Sequence, residues 1–392
     1  MNVVRLGIIG VGNMGSAHAK SVYDHKVEGM QLVAVCDSDE SKLEWVKSNL
    51  KDNVKCYENY EDLLSSGEID AILIATPHQL HPIIAIEAFN KGLHVLTEKP
   101  AGIDTASVRK MNEIATKSGK VFGIMYNQRT NRLYQTLRDA VKAGKLGEIK
   151  RMVWIINNWY RTQAYYDSGD WRGSWNGEGG GVLLNQCPHN LDIWQWIMGM
   201  PIKVRATCKI GHFHNISVED DAIIHAEYAN GASAVFITST GEYPGTNRIE
   251  ISGTKGKAVV ENGTLKFYLL DQDEREICMN SKQGMPCEKV HIEIIEEKMK
   301  ESGHLGILQN FTDAIRFGKS LLAPGIEGIN GLMISNAAYL SSWKDEWVEL
   351  PVDEENFLEF LYHKQKEEKC HKANTDKEEL RGSYNERWQV RW

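Results

Sequence analysis

Two regimes of hydrophobic patterning divide the chain. Up to about residue 127, short and almost wholly apolar runs at 3–9, 32–36, 70–75, 94–96 and 121–126 alternate with segments whose apolar residues recur at helical spacing. Unbroken apolar runs of this length read as parallel strands covered on both faces, and the segments 13–25, 80–90 and 104–118 between them predict helices. Such a βα alternation predicts an α/β fold, with a doubly wound parallel sheet over residues 1–127. Beyond it, an amphipathic helix at 131–143 leads into strands expected at 150–158, 202–210, 221–229, 232–239, 248–252, 257–261 and 264–269. Asn230-Gly231 and Asn262-Gly263 fall between consecutive strands, the strongest short hairpin signal. Residues 128–362 are therefore expected to form a second α/β domain on a large open antiparallel sheet. Helices at 304–317 and 328–343 could return to pack on the first domain, and a short strand is expected within 343–351. The last segment, 363–392, reads as a charged tail whose Trp388 and Trp392 could dock on a neighbouring copy.

Composition narrows the class. The 392 residues exceed one ordinary core, and 42% apolar with 25% charged residues is a globular balance. No apolar run approaches the roughly 20 residues that span a bilayer, so no membrane partner is expected. The N-terminal apolar stretch is too short for a secretory signal, and seven scattered cysteines without CxxC spacing fit a reducing compartment, so a cytoplasmic location is expected. A net charge of −8 repels a phosphate backbone, which argues against nucleic acid. His212, His214, Cys208 and His225 read as surface or interface residues, and no metal site is expected.

The chemistry begins at the first strand end. Gly10, Gly12 and Gly15 follow strand 3–9 directly and open a helix at Asn13 and Met14, which is GxGxxG in the context it requires. The first glycine permits the tight turn, the second lets a pyrophosphate approach the backbone, and the third allows close helix packing. Asp37 ends the second strand 22 residues after Gly15, where an acid accepts hydrogen bonds from an adenosine ribose and repels a 2'-phosphate. Thr76, Pro77, His78 and His81 follow the strand at 70–75, and Glu98 and Lys99 follow the one at 94–96, both at carboxyl ends where ligands of open α/β sheets bind. The two histidines read as helix-start hydrogen-bonding groups.

In the second half, the stretch 177–200, GEGGGVLLNQCPHNLDIWQWIMGM, combines backbone-close glycines with an apolar segment. On a helix, Asn185, His189 and Asp192 share one face. Before it, residues 159–178 carry Trp159, Tyr160, Arg161, Trp171, Arg172 and Trp175 in a polar, glycine-broken loop. Aromatic faces beside hydrogen-bonding groups suit a sugar ring, and packing at an oligomer interface is the rival reading.

This order of motifs resembles the glucose-fructose oxidoreductase, inositol dehydrogenase and rhizopine-catabolism (Gfo/Idh/MocA) family, through GIIGVGNMG, Asp37, ATPHQLH, HVLTEKP, WR followed by GGGVLLNQCPHNLD, and ISGTKGKAVVENG. The resemblance implies a Rossmann domain, a second domain whose sheet usually forms a dimer or tetramer interface, and NAD(P)-dependent redox chemistry on sugars or polyols, with NAD expected from Asp37. It implies Lys99 and His189 as the catalytic pair. Asn185 stands where many polyol dehydrogenases of the family have aspartate, so it is expected to position a group rather than titrate. Cofactor contacts are also expected from Asn127, Trp171 and Arg172, and substrate contacts from Arg129, Tyr160, Arg161 and Trp175. Four functions follow as expectations: oxidation of a ring hydroxyl of a glucoside at C3, inositol oxidation, glycoside cleavage through transient oxidation, and NAD-binding regulation without catalysis.

Overall fold

The computed structural model describes residues 3–50, 54–169, 171–285, 288–296 and 302–368. Six strands, β1 (Val4–Ile9), β2 (Met30–Cys36), β3 (Lys55–Tyr57), β4 (Ala71–Ile74), β5 (His94–Thr97) and β6 (Phe122–Ile124), form one sheet in the order β3-β2-β1-β4-β5-β6. All its pairs are parallel. The strand order reverses at β1 and β4, so the chain leaves their carboxyl ends in opposite directions and opens a crevice there. The helices Asn13–Tyr23, Leu80–Asn90 and Thr105–Ser118 form where apolar spacing predicts them. β3 escapes prediction because it is a three-residue edge strand, KCY, with no buried position.

The first core is closed from far along the chain. Ile307, Leu308 and Phe311 of the helix Gly303–Phe317 join its buried cluster, and the Ile124 N–H donates to the Ala323 carbonyl at 3.1 Å.

A second sheet has nine strands: β7 (Ile149–Ile156), β8 (Lys203–Ile210), β9 (Glu219–Glu227), β10 (Ser233–Ser239), β11 (Asn247–Gly253), β12 (Gly256–Glu261), β13 (Thr264–Leu270), β14 (Val290–Glu296) and β15 (Val348–Glu349). They lie in the order β14-β13-β12-β11-β7-β10-β9-β8-β15. The sheet is mixed rather than wholly antiparallel, because β7 and β10 run parallel. The long excursion after β7 lets the β8-β9-β10 meander return beside it in the same direction. The β12-β13 hairpin turns on Asn262 (φ 50°) and Gly263 (φ 70°), the left-handed pair that a two-residue loop needs. Helices Arg132–Lys142, Pro188–Met198 and Gly328–Lys344 bury one face of the sheet around Trp154, Phe236 and Ile249.

Two expectations change here. Asn185 is not on the helix that carries His189 and Asp192, which starts only at Pro188, where a proline suits the first helical turn. The last helix, Glu354–Glu367, runs through the boundary expected at 362, since Phe357 and Leu361 bury one stripe while the charges stay outside. Trp388 and Trp392 lie outside the described residues. Among the described residues, no helix is long and apolar enough to cross a membrane.

Candidate active site

One cleft of about 990 Å³ runs from the β1 and β4 strand ends to the second domain, bordered by Gly12, Asp37, Lys99 and His189 among others. At its β1 end the glycines divide their work. Gly10 has φ 90°, and a side chain there would meet the Ala75 carbonyl. A Cβ on Gly15 would lie 1.8 Å from the Gly10 carbonyl oxygen, so this glycine lets the helix pack and sits beneath the cleft rather than on its wall. Gly12 has nothing within 4 Å where its Cβ would project, which leaves bare backbone beside open space. Asp37 accepts the Val11 N–H at 2.7 Å and the Asp39 N–H at 3.0 Å, and Lys42 stands 3.5 Å away. A bare glycine turn, a helix start carrying Asn13 and Met14, and a carboxylate at the second strand end fit a dinucleotide, with pyrophosphate over the turn and ribose at Asp37.

The middle of the cleft is built by β5 and the turn after it. Glu98 bonds His18 at 2.7 Å and accepts the Lys99 backbone N–H at 3.2 Å, which fixes where Lys99 begins. Burial works against the Glu98 charge, but His18 together with His304 and Lys99 outweighs it and holds the carboxyl down at about 2. His304 stacks edge-on to His18 at 5.5 Å. The Lys99 Nζ donates to the Asn185 carbonyl at 2.8 Å. Burial lowers the Lys99 ammonium below its usual range, with Glu98 opposing and Arg161 assisting. His81 lies between the Pro100 and Thr76 carbonyls, and His78 bonds the Glu178 carbonyl, so both tie loops together at the cleft wall.

The far wall comes from the loop 159–178. Arg172 lies between the rings of Tyr165 (4.4 Å) and Trp171 (4.5 Å), and Trp171 meets His78 edge-on at 5.8 Å. Trp159 donates to Asn190 at 3.1 Å, which pins the loop to the helix that carries His189. The Glu368 carboxylate accepts the adjacent N–H groups of Trp175 and Asn176 at 2.7 and 3.0 Å. His189 is buried with its ring edge-on to Tyr126 at 6.1 Å. Burial, then the Lys99 charge, push its imidazole well below the usual histidine range.

The structure thus brings Gly10, Gly12, Asn13, Met14, Asp37, Thr76, Pro77, His78, His81, Glu98, Lys99, Arg161, Trp171, Arg172, Asn185 and His189 to one cleft. Besides Gly15, four expected contacts do not border it. Arg129 is 1% exposed and holds Asp192 through two hydrogen bonds of 2.8 and 2.6 Å, with Glu327 beyond. Asn127 is buried under the 3-10 turn Asn127–Thr130, where its carbonyl accepts the Thr130 hydroxyl. Trp175 packs inward on Tyr339 and Trp343. Tyr160 points outward against Tyr243. The cleft also contains His18, Tyr165, Gln186 and His304, which had not been singled out. His18, three residues after Gly15, is one turn along the cofactor-facing helix, a spacing that could have flagged it.

Comparison with known proteins agrees with this geometry. Residues 4–126 match the family model described as an oxidoreductase family, NAD-binding Rossmann fold, and residues 134–259 match that of the GFO/IDH/MocA C-terminal domain. The chain belongs to the Gfo/Idh/MocA oxidoreductase family. It is 28% identical to the rhizopine catabolism protein MocA of Rhizobium meliloti over 60% of this chain and 71% of that one. It is 24% identical to the myo-inositol 2-dehydrogenase of Thermotoga maritima over 86% and 95% of the two chains. The WlbA dehydrogenase of Bordetella pertussis, solved with NADH and UDP-GlcNAcA, superimposes with a TM-score of 0.75 at 25% identity, covering 90% of this chain and all of that one.

This member of the family is an NAD-binding oxidoreductase, and Asp37 gives its cofactor preference a test. A 2'-phosphate would meet the Asp37 carboxylate, although Lys42 offsets part of that repulsion. We expect a higher kcat/KM with NAD than with NADP, and Asp37→Ala to narrow the ratio at least about 10-fold, the worth of one hydrogen bond to a charged group. Steady-state kinetics with both cofactors decide it, and a wild-type preference for NADP would refute the role of Asp37.

Proposed function

We propose that the protein oxidises a secondary ring hydroxyl of a sugar or glycoside, most specifically C3 of a glucoside to give a 3-keto sugar. The observation that carries this reading is the wall of aromatic faces (Trp159, Tyr165, Trp171) set among amide and guanidinium groups (Asn185, Gln186, Arg161) next to Lys99 and His189. Rings with C–H faces and many hydroxyls match such a wall. NAD, held at the Gly12 turn and Asp37, would supply the acceptor for the carbinol hydrogen and its bond pair. The hydroxyl proton goes to the neutral imidazole of His189, and the Lys99 ammonium stabilises the developing alkoxide. Asn185 orients a hydroxyl and takes no proton. The balance is alcohol plus NAD⁺ to ketone, NADH and one proton.

The second reading is inositol oxidation, favoured by the likeness to myo-inositol 2-dehydrogenase. Incubating protein and NAD with glucose, methyl glucosides and myo-inositol, with NMR of the products, separates the two. A 3-keto glucoside with stoichiometric NADH supports the first reading, and turnover of myo-inositol alone supports the second. Aglycone release without net NADH marks a glycosidase, and NAD binding without any turnover marks a regulator.

The pH profile tests the pair of groups. Protonating His189 removes the base, and deprotonating Lys99 removes the cation, so rate falls at both extremes. With His189 depressed well below 6.5 and Lys99 below 10.5, we expect kcat/KM to be level by pH 6.5 and to decline before 10.5. Profiles from about pH 5 to about pH 10 report both limbs. An acid limb centred at or above 6.5 would exclude His189 as a base in this environment.

A homodimer or homotetramer through the second sheet completes the proposal. Ile223, Ile237 and Ile155 lie in one cross-strand row, beside Val235 and Val153 in the next, on the face opposite the helices. Ile223 is 45% exposed there, and light scattering gives the assembly state.

A further inference from the structure

Glu178 has no part in the proton and hydride steps, yet it is a fully buried carboxylate in contact with Asn185. The Asn185 Nδ2 donates one hydrogen to Glu178 Oε1 and the other to the Tyr165 hydroxyl at 3.1 Å. Burial raises the Glu178 carboxyl, opposed by Arg172, the Gly173 N–H and the Asn185 amide; as a carboxylate it only accepts, so the amide nitrogen rather than its oxygen faces it. Glu178 is itself fixed, because its Oε2 accepts the Gly173 N–H at 2.7 Å and Arg172 stands 3.8 Å from Oε1. Arg172 also donates to the Tyr165 hydroxyl at 2.6 Å, which holds the second partner in place. With both amide hydrogens engaged, Asn185 has its Oδ1 left for the cleft that it borders. The same residue's backbone carbonyl receives Lys99 Nζ at 2.8 Å, so this acceptor lies within one residue of the ammonium. A neutral amide oxygen suits a hydroxyl that keeps its proton, which is a neighbour of the reacting one rather than the reacting one itself.

We propose that Glu178 is a positioning residue that locks the Asn185 amide with its oxygen toward the cleft, where it accepts a hydrogen bond from a substrate hydroxyl vicinal to the one oxidised. This rests on the reading of the protein as a sugar or cyclitol dehydrogenase, and it makes a vicinal diol the feature recognised. Without the carboxylate, the amide can turn over and present its NH₂ group, which competes for the substrate hydroxyl's oxygen instead of receiving its proton. Glu178→Gln is the direct perturbation. A glutamine has one acceptor oxygen for two donors, the Gly173 N–H and the Asn185 amide, so one of them loses its partner.

Two measurements test the lock. With whichever of glucose, methyl glucoside or myo-inositol the wild type uses best, its monodeoxy analogues are compared. The wild type should lose at least about 10-fold in kcat/KM when the hydroxyl next to the oxidised carbon is removed, mainly through KM. In Glu178→Gln that discrimination should fall to within about threefold, with kcat changed less than KM, and Tyr165→Phe should lie between the two. Glu178→Gln with undiminished discrimination overturns the proposal. The second measurement needs no turnover: in protein labelled with ¹⁵N-asparagine, the Asn185 side-chain amide is identified as the signal lost in Asn185→Asp. Its hydrogens should exchange with solvent at least about 10-fold more slowly in the wild type than in Glu178→Gln, and equal exchange overturns the lock. If no member of the sugar panel is oxidised, the proposed function fails while the exchange measurement still reads the lock.

Discussion

Lys99→Ala and His189→Ala are each expected to lower kcat by at least about 100-fold, the usual worth of a positioned acid, base or charge. The Lys99 ammonium is held at the cleft by one carbonyl and has no carboxylate in direct hydrogen-bond contact among the described residues. It is therefore available to a developing alkoxide rather than spent on an ion pair. Lys99→Arg should not rescue, because a planar fork cannot replace a compact ammonium in a site of this size. Since the two groups act on one hydroxyl, the double variant should cost little more than either single one. Cofactor binding, read by fluorescence titration with NADH, should survive in all of them, because Gly12 and Asp37 are untouched. Near-wild-type turnover in either single variant would place the chemistry elsewhere.

Asp192→Asn is expected to destabilise the fold by about 3–5 kcal/mol, the cost of leaving one partner of a buried ion pair behind. Asp192 is fully buried, and Arg129, itself 1% exposed, has no route to water that would compensate the loss. Glu327 accepts one guanidinium hydrogen at 2.6 Å but is more than a third exposed, so it cannot take over both bonds. Replacing both members by apolar residues, Arg129→Met with Asp192→Leu, should cost less than Asp192→Asn alone. Urea unfolding of the three proteins measures this, and an Asp192→Asn loss below about 1 kcal/mol would contradict a buried, charged pair.

Arg129 also shows where reading the sequence reached its limit. Apolar periodicity located the strands and helices of the first sheet because each buries its residues locally, and the GxGxxG turn and Asp37 carry their chemistry in a fixed spacing. Lys99 and His189 were expected as a pair from the family resemblance of their motifs, and the fold brings both to the cleft. Arg129 and Trp175 were assigned to substrate because an arginine or a tryptophan near such motifs has the right chemistry. Whether it faces the cleft or the core depends on Asp192, Tyr339 and Trp343, residues 63 to 168 positions away. Glu178 and Tyr165 were missed for the converse reason. Neither lies in a spacing with physical meaning, and only the folded loop brings them to Asn185.

The helix Gly303–Phe317 places part of the first core nearly 200 residues after the sheet that it covers. As the chain leaves the ribosome, the nucleotide-binding half therefore emerges complete in its strands but with an apolar face still open where Ile307, Leu308 and Phe311 belong. Contacts this distant in sequence form late and slowly, so that face stays exposed while strands β7 to β14 of the second sheet are made. The wall of the cleft is finished later still, when Glu368 reaches the amides of Trp175 and Asn176. A nascent chain stalled before residue 303 would present a sticky Rossmann half to holding chaperones, and one cut between 333 and 367 would close that core yet lack the clasp on its substrate loop.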